Sequence, residues 1–318
     1  MYGVHPNIQR KKPLGSRVLS HFKRHWRLHA LALPCLLYLL IFHYWPMFGL
    51  TMAFQNFSAS KGFFHSEFVG FKNFEFLFKT TDAWRITRNT VCYNVVFMLL
   101  QTSLSVLVAI VFNELYIKRL AKTLQTMLIM PNFLSMAVIG IAVSAFLSSR
   151  DGMLNQLLGA MGMKTRNWYT YKPIWPYVLV IVRMWKDVGY GAIVYVASIS
   201  GISQEYYEAA VLDGATKVQQ ARYVTLPHLR HIITIMLILN MGSLFRGDFG
   251  LFYNVTMNNG ALYEVTDVID TYIYCALTTL NNTGMSSAAG LYQSVVGFIL
   301  VILSNLVVRK IDEESALV

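Results

Sequence analysis

Charge is scarce in this chain: only 14% of its 318 residues are Asp, Glu, Lys or Arg, against 55% hydrophobic. A soluble domain of this length covers its surface with roughly a quarter charged residues. The shortfall excludes an ordinary water-soluble fold and fits a chain solvated largely by lipid. Cysteine is nearly absent as well. Cys35, Cys92 and Cys275 are odd in number and far apart, which excludes a disulfide framework and a thiolate metal site. Lying in apolar segments, they read as small packing residues. No G-x-x-x-x-G-K-[ST] loop exists to cradle nucleotide phosphates, and neither H-E-x-x-H nor G-x-S-x-G is present for hydrolysis. Gly189-Tyr-Gly191 is a lone G-x-G without nucleotide meaning, and reads as a place where helices approach closely.

What is present is a net charge of +11, distributed unevenly. Residues 1–28 hold seven Lys/Arg and no acid. A basic tail directly before an apolar run marks a cytoplasmic amino terminus, so no nucleic acid is expected as a partner. No small-residue cleavage site follows Leu28 to Phe42, and the run reads as an uncleaved first span. Apolar windows predict six spans, at about 29–54, 89–113, 122–148 (with Pro131 inside), 174–201, 230–252 and 288–308. Six spans put both termini on one side. The segments assigned inside then carry fifteen Lys/Arg and the outer loops nine, while the last outer loop, 253–287, has none. The expected organisation is a basic cytoplasmic tail 1–28, a membrane domain 29–308 and a cytoplasmic tail 309–318. The loop around 61–79 reads as a short external helix or cap.

The loop between the fourth and fifth expected spans, Ser203 to Pro227, carries the most information. It reads as a short helix capped by Ser203, with Glu205 and Glu208 near its start, then a turn at Gly214 and a second helix ending before Pro227. Glu208-Ala209-Ala210, three residues, Gly214, nine residues, then Val224-Thr225-Leu226-Pro227 resembles the E-A-A-x3-G-x9-I-x-L-P loop of prokaryotic ABC importer permeases. Val224 stands where that pattern has Ile. Asp213 and Ala215 match the sugar-transporter version, and Ala221 departs from the aromatic residue of many members. Phe68 to Phe74 looks like the V-G-x-x-N-F element of carbohydrate permeases. The stretches Asp267 to Tyr274 and Ala288 to Ser294 resemble the LplB-like subgroup, whose members carry polysaccharides or oligosaccharides.

This resemblance implies an all-α membrane protein of the type I ABC importer permease fold, with 203–227 as a cytoplasmic coupling helix docked on a separate ATPase. Glu208 would make the ionic contact, Ala209 and Ala210 would allow close approach, Gly214 would supply the bend, and Asp213 and Ala215 would flank it. ATP and Mg²⁺ would be bound by two partner ATP-binding subunits and not by this chain. A second related permease in a heterodimer, an extracytoplasmic solute-binding protein, a carbohydrate substrate and membrane lipid complete the expected partners, in a bacterial inner membrane.

Ionisable groups inside spans are the default candidates for a transport path. These are Arg183, Lys186 and Asp187 in the fourth expected span and Arg246 and Asp248 in the fifth, with Asn240 below them. One reading is a sugar site in which Trp185, Tyr190 and Phe249 stack on sugar faces. The other is a set of self-satisfied ion pairs, Arg183–Asp187 and Arg246–Asp248. The surplus of cations points to an anionic sugar such as a uronate. An ion-gradient-driven secondary transporter is the alternative class. The intramembrane aspartates suit it, but no internal repeat is visible.

Overall fold

The computed structural model describes residues 25–75, 79–115 and 117–311, in two units that divide after Thr51. The expected basic tail up to residue 24 and the tail from 312 lie outside the described residues. In the first unit α1 (Trp26–Leu39) continues through a π turn (Leu40–Tyr44) into a 3-10 segment (Trp45–Phe54) whose last three residues belong to the second unit. None of residues 25–51 is buried, although nearly all are apolar. A helix that is hydrophobic on every side and covered on none is stable only in hydrocarbon.

The second unit begins with a two-stranded antiparallel ladder, β1 (Gln55–Asn56) and β2 (Glu67–Phe68), in which Gln55 faces Phe68. The loop expected as a helix or cap is therefore a small hairpin with short helical turns. Asn73 of the V-G-x-x-N-F element secures it, donating to the carbonyls of Ala53 (3.0 Å) and Gln55 (2.9 Å). The longer helices follow: α2 (Thr81–Glu114), α3 (Lys118–Ile129), α4 (Met136–Leu147), α5 (Met153–Ala160), α6 (Trp175–Ser200), α7 (Gln204–Leu212), α8 (Leu226–Met241), α9 (Ile269–Thr278) and α10 (Thr283–Ile311).

Among the described residues, four stretches are long and apolar enough to cross a membrane: Trp26–Phe54, Thr81–Glu114, Lys217–Met241 and Thr283–Leu306. A fifth is a pair, Arg119–Phe133 and Met136–Leu147, bent by 96°. That bend corrects the expectation of one continuous helix through Pro131. Met130, before the proline, stays helical, and Pro131 sits at the start of a 3-10 turn where its missing N–H is tolerated. The chain tightens to a 3-10 turn over Met130–Phe133, extends at Leu134 and restarts at α4 with Ser135 capping Val138 N. The expected span 230–252 is likewise broken, since α8 stops at Met241 and irregular backbone leads to a π turn at Leu251–Val255. Nor does the second helix of the 203–227 loop end before Pro227. It passes through a π turn (Ala221–Thr225) into α8, and Pro227, which has no N–H to donate, sits just past that wider turn.

The core forms where α2 lies along α6. Tyr93, Phe97, Leu179, Leu251 and Phe252 fill one part, and Val106, Tyr195, Ile199 and Leu229 another. Cys35 and Cys92 are exposed on helix faces, which corrects their reading as core residues; Cys275 is half-buried.

Buried Asn155 organises the segment between α4 and α6. Its Nδ2 donates to the carbonyls of Ser148 (3.2 Å), Ser149 (3.3 Å) and Arg166 (2.8 Å), and its Oδ1 accepts from Arg166 N (3.1 Å) and Trp168 Nε1 (3.0 Å). Asn155→Ala strands these groups and is expected to cost about 3 kcal/mol. Thermal melting of the purified protein checks it, and Asn155→Gln should not rescue because the longer side chain misplaces the amide.

Candidate functional site

Two constructions stand out, one at the C-terminal end of α6 and one at its middle. At its C-terminal end Ser203 accepts from Glu205 N (3.4 Å) and starts α7. The helix closes on a left-handed cap: Gly214 has φ +76°, its N–H reaches Val211 O (3.0 Å), and Ala215 N reaches Ala210 O (2.9 Å). These two bonds satisfy carbonyls that the helix end would leave open. Thr216 and Gln219 then cap each other's backbone N–H and open the next turn. The two arms are fastened by Tyr207 Oη to Thr225 Oγ1 (3.0 Å), and to α2 by the ion pair Lys217–Glu114 (3.1 Å). Glu208, Ala209 and Asp213 are exposed, while Ala210 and Ala215 are half-buried. A cavity of about 570 Å³ lies between α7 and the ends of α2 and α6, with Glu208 on its rim and Gln220 and Asn113 on its walls.

The second construction joins the two broken spans to the middle of α6. Arg183 and Asp187, one turn apart, form an ion pair at 2.7 Å, with Nε out of line for a hydrogen bond. Arg183 Nη1 also pairs with Asp248. The expected Arg246–Asp248 pair is therefore not made; Asp248 turns to α6, and its Oδ1 accepts from Leu251 N (3.0 Å). Asn132, in the bend between α3 and α4, donates to Asp187 Oδ1 (3.2 Å). Lys186 caps that bend, donating to the carbonyls of Asn132 (2.6 Å) and Leu134 (2.7 Å). Irregular backbone inside a membrane survives only where such partners satisfy it.

The break after α8 is held in the same way. Asn94 of α2 donates to Leu244 O (2.8 Å) and Arg246 O (3.0 Å). Asp270 of α9 accepts from Gly247 N (2.5 Å), and Gln293 of α10 donates to Phe245 O (3.0 Å) and Asp270 (2.8 Å). Arg246 is left exposed beside a cavity of about 320 Å³ that Gln293 and Ser294 also line. Phe249 stacks on Tyr253 (4.9 Å between centroids) and meets Tyr274 (5.0 Å). Trp185 and Tyr190 are more than half exposed; Trp185, two residues from Arg183 on a helix, points away from the ion pairs. Asn240 is exposed near the end of α8.

The structure thus brings together Arg183, Asp187, Lys186 and Asp248, with Arg246 and Phe249 in the adjoining break, and leaves Trp185 apart. Sequence reasoning missed Asn94, Asn132, Gln293, Tyr253 and Tyr274. The available signal was a polar side chain at a place where an apolar run also loses its helix.

Outside the spans, Asp267 is buried beneath the start of α2. Burial pushes its carboxyl up, against the pull of Thr271 and of Arg85, which lies at 3.0 Å. Exposed Glu264 is held below the usual carboxylate range by Lys172 at 2.6 Å. Among the described residues no three His, Cys, Asp or Glu converge as a metal site.

Broken spans bridged by half-buried ion pairs, with a capped helical loop at one end, fit a membrane transport subunit. Residues 102–313 match the binding-protein-dependent transport system inner membrane component, and the chain belongs to that family. It is a permease subunit without ATPase activity of its own. Protein LplB of Bacillus subtilis is 32% identical over 93% of this chain and 93% of its own length. The polygalacturonan/rhamnogalacturonan transport system permease protein YteP of the same organism is 29% identical over 96% and 94%. A bacterial ABC transporter that imports the acidic polysaccharide alginate contains a chain 31% identical, superposing with a TM-score of 0.84 over 93% of this chain and 99% of that one. A second crystal structure, of an alginate ABC transporter in complex with an alginate pentasaccharide-bound periplasmic protein, gives 31%, 0.82, 93% and 98%. The fold is that of the type I ABC permeases.

Proposed function

We propose that this chain is one permease half of an ATP-driven importer that carries an acidic oligosaccharide into the cytoplasm by alternating access. One observation carries the reading. Residues 203–225 form a capped helix, a left-handed glycine turn and a second helix that opens the membrane-length stretch Lys217–Met241, with Glu-Ala-Ala and Gly at the spacing of the ABC permease loop. A short helix joined without slack to a span can act as a lever. Exposed Glu208 makes the ionic contact to an ATPase, Ala209 and Ala210 let it approach, and Asp213, Gly214 and Ala215 form the elbow. ATP and Mg²⁺ are held by two such partner subunits. A second permease supplies the other half of the path in a heterodimer, and a solute-binding protein delivers the sugar, as for the alginate transporter. The chain spans the inner membrane six times with both termini cytoplasmic; α6 is the fourth span, its charged residues tolerated because Arg183, Asp187 and Lys186 are partnered.

The acidic substrate is supported by two lines. The alginate and polygalacturonan/rhamnogalacturonan transporters are relatives over nearly the whole chain. Of the cations in the path, Arg183 and Lys186 are occupied and Arg246 remains exposed.

Proteoliposomes holding the complete importer test the proposal. Uptake of a uronate oligosaccharide is expected to require ATP and the binding protein. Gly214→Val forces a β-branched residue to φ +76°, a strain of about 2 kcal/mol or more. It is expected to cut uptake at least about tenfold while the chain still inserts. Uptake driven by a proton or sodium gradient without the ATPase would refute the reading.

A further inference from the structure

A second cavity, about 520 Å³, lies between α2 and α6 at the end nearest Glu264 and has no part in the path described above. Arg88, Cys92, Val96 and Leu100 follow one another at four-residue spacing on α2 and form one wall. At 1.5 Å per residue this wall is about 18 Å long. Tyr177 and Ile181 of α6 form the other and are 71% and 66% exposed. The floor is Tyr93, whose hydroxyl is already spent on Val265 O (2.7 Å). The trough therefore offers almost nothing to sugar hydroxyls and suits hydrocarbon.

Its polar chemistry is gathered at one end. Arg88 donates through Nε (3.3 Å) and Nη2 (3.0 Å) to Asn89 Oδ1, and through Nη2 to Glu264 O (3.3 Å). These bonds fix the guanidinium plane. Its Nη1 has no hydrogen-bond or ion-pair partner among the described residues. The nearby Glu264 carboxylate is already engaged by Lys172 at 2.6 Å. An oriented cation at the head of an apolar trough has the layout of an amphiphile with an anionic head. A guanidinium holds a phosphate through charge-assisted hydrogen bonds.

We infer that this groove holds one anionic glycerophospholipid of the surrounding bilayer, its phosphate on Arg88 and an acyl chain along Val96 and Leu100. The lipid covers apolar surface on both helices and braces α2 against α6, the pair whose packing supports the transport path.

Native mass spectrometry of the intact importer, titrated with phosphatidylglycerol or phosphatidylcholine, tests this. Arg88→Gln is expected to weaken phosphatidylglycerol binding about tenfold, as loss of a charge-assisted contact does, and to weaken phosphatidylcholine binding less, because choline's own cation already offsets that phosphate. Arg88→Lys should keep most of the difference between the two lipids. Val96→Trp, which fills the trough, should reduce binding of both in a complex of unchanged subunit composition. Two results overturn the inference. One is phosphatidylglycerol binding unaffected by Arg88→Gln. The other is efficient disulfide formation between Cys92 and a cysteine introduced in the second permease, which would make the groove a subunit interface.

Discussion

Arg183→Met is expected to prevent the importer from accumulating as a folded complex, whereas the triple variant Arg183→Met/Asp187→Asn/Asp248→Asn recovers most of its stability. The reason is electrostatic. Arg183 stands between two carboxylates, Asp187 at 2.7 Å and Asp248 on the chain after α8. Removing the cation leaves two like charges close together in a medium that screens them poorly. Breaking a buried pair from one side costs about 3–5 kcal/mol, while replacing the whole set with neutral groups is often close to harmless. A single-sided loss of that size consumes much of the roughly 5–15 kcal/mol that holds a native protein together. The asparagines of the triple variant keep an oxygen for Asn132 Nδ2 and for Leu251 N, which the two aspartates accept at 3.2 and 3.0 Å. Yield of the assembled complex and its melting temperature are the readouts. If Arg183→Met melts within about 2 °C of the parent, the three charges do not form a unit. A recovered triple variant that folds but transports slowly would separate the structural work of the network from its part in the path.

That network also marks where sequence reading succeeded and where it stopped. The long apolar runs of α2 and α10 are stretches whose composition alone requires lipid, and the cap at Ser203 and the turn at Gly214 are local chemistry, readable residue by residue. The breaks after Ile129 and Met241 were not legible. Hydropathy averages over a window and is blind to backbone dihedrals, so an irregular stretch inside an apolar run still scores as a span. Pro131 was visible, but a proline in a membrane helix commonly kinks the chain without folding it back through 96°. The partner of Asp248 was beyond reach for a different reason. Residues two apart on a helix point to opposite sides, so Arg246 and Asp248 are poor partners there. The helix has in any case ended, and only tertiary structure brings Arg183, 65 residues away, to the carboxylate. Asn94, Asn132 and Gln293 stayed hidden because an isolated amide in an apolar run has no spacing rule. Each is assigned only once a broken backbone with open carbonyls lies next to it.

Gly189→Ala is expected to be nearly as severe, through sterics rather than charge. A Cβ built on Gly189 falls 1.9 Å from Leu128 O and 2.3 Å from Leu128 C. Both are backbone atoms of α3 just before the bend, so no side-chain rotation relieves the collision. Restoring ordinary van der Waals distance means moving α3 away from α6 by well over an ångström, against packing as dense as an organic crystal. The movement acts on the neighbouring polar contacts. Lys186, three residues before Gly189, reaches Asn132 O and Leu134 O at 2.6 and 2.7 Å. Asn132 in turn reaches Asp187 at 3.2 Å. Separating the helices stretches all three and strands carbonyls of the bend within the membrane, at about 1–3 kcal/mol for each group left open. ATP-driven uptake is therefore expected to fall by at least about a hundredfold, with a lower melting temperature of the complex. Gly201→Ala is the matched control: it lies at the end of the same helix, its nearest neighbour is Ser198 O at 3.4 Å, and it should behave as the parent. Equal loss in the two variants would mean that α6 is sensitive to any added methyl group. Loss at Gly189 alone would locate the constraint at the contact with Leu128, where α6 is pressed against the bend that its own Lys186 and Asp187 hold by hydrogen bonds.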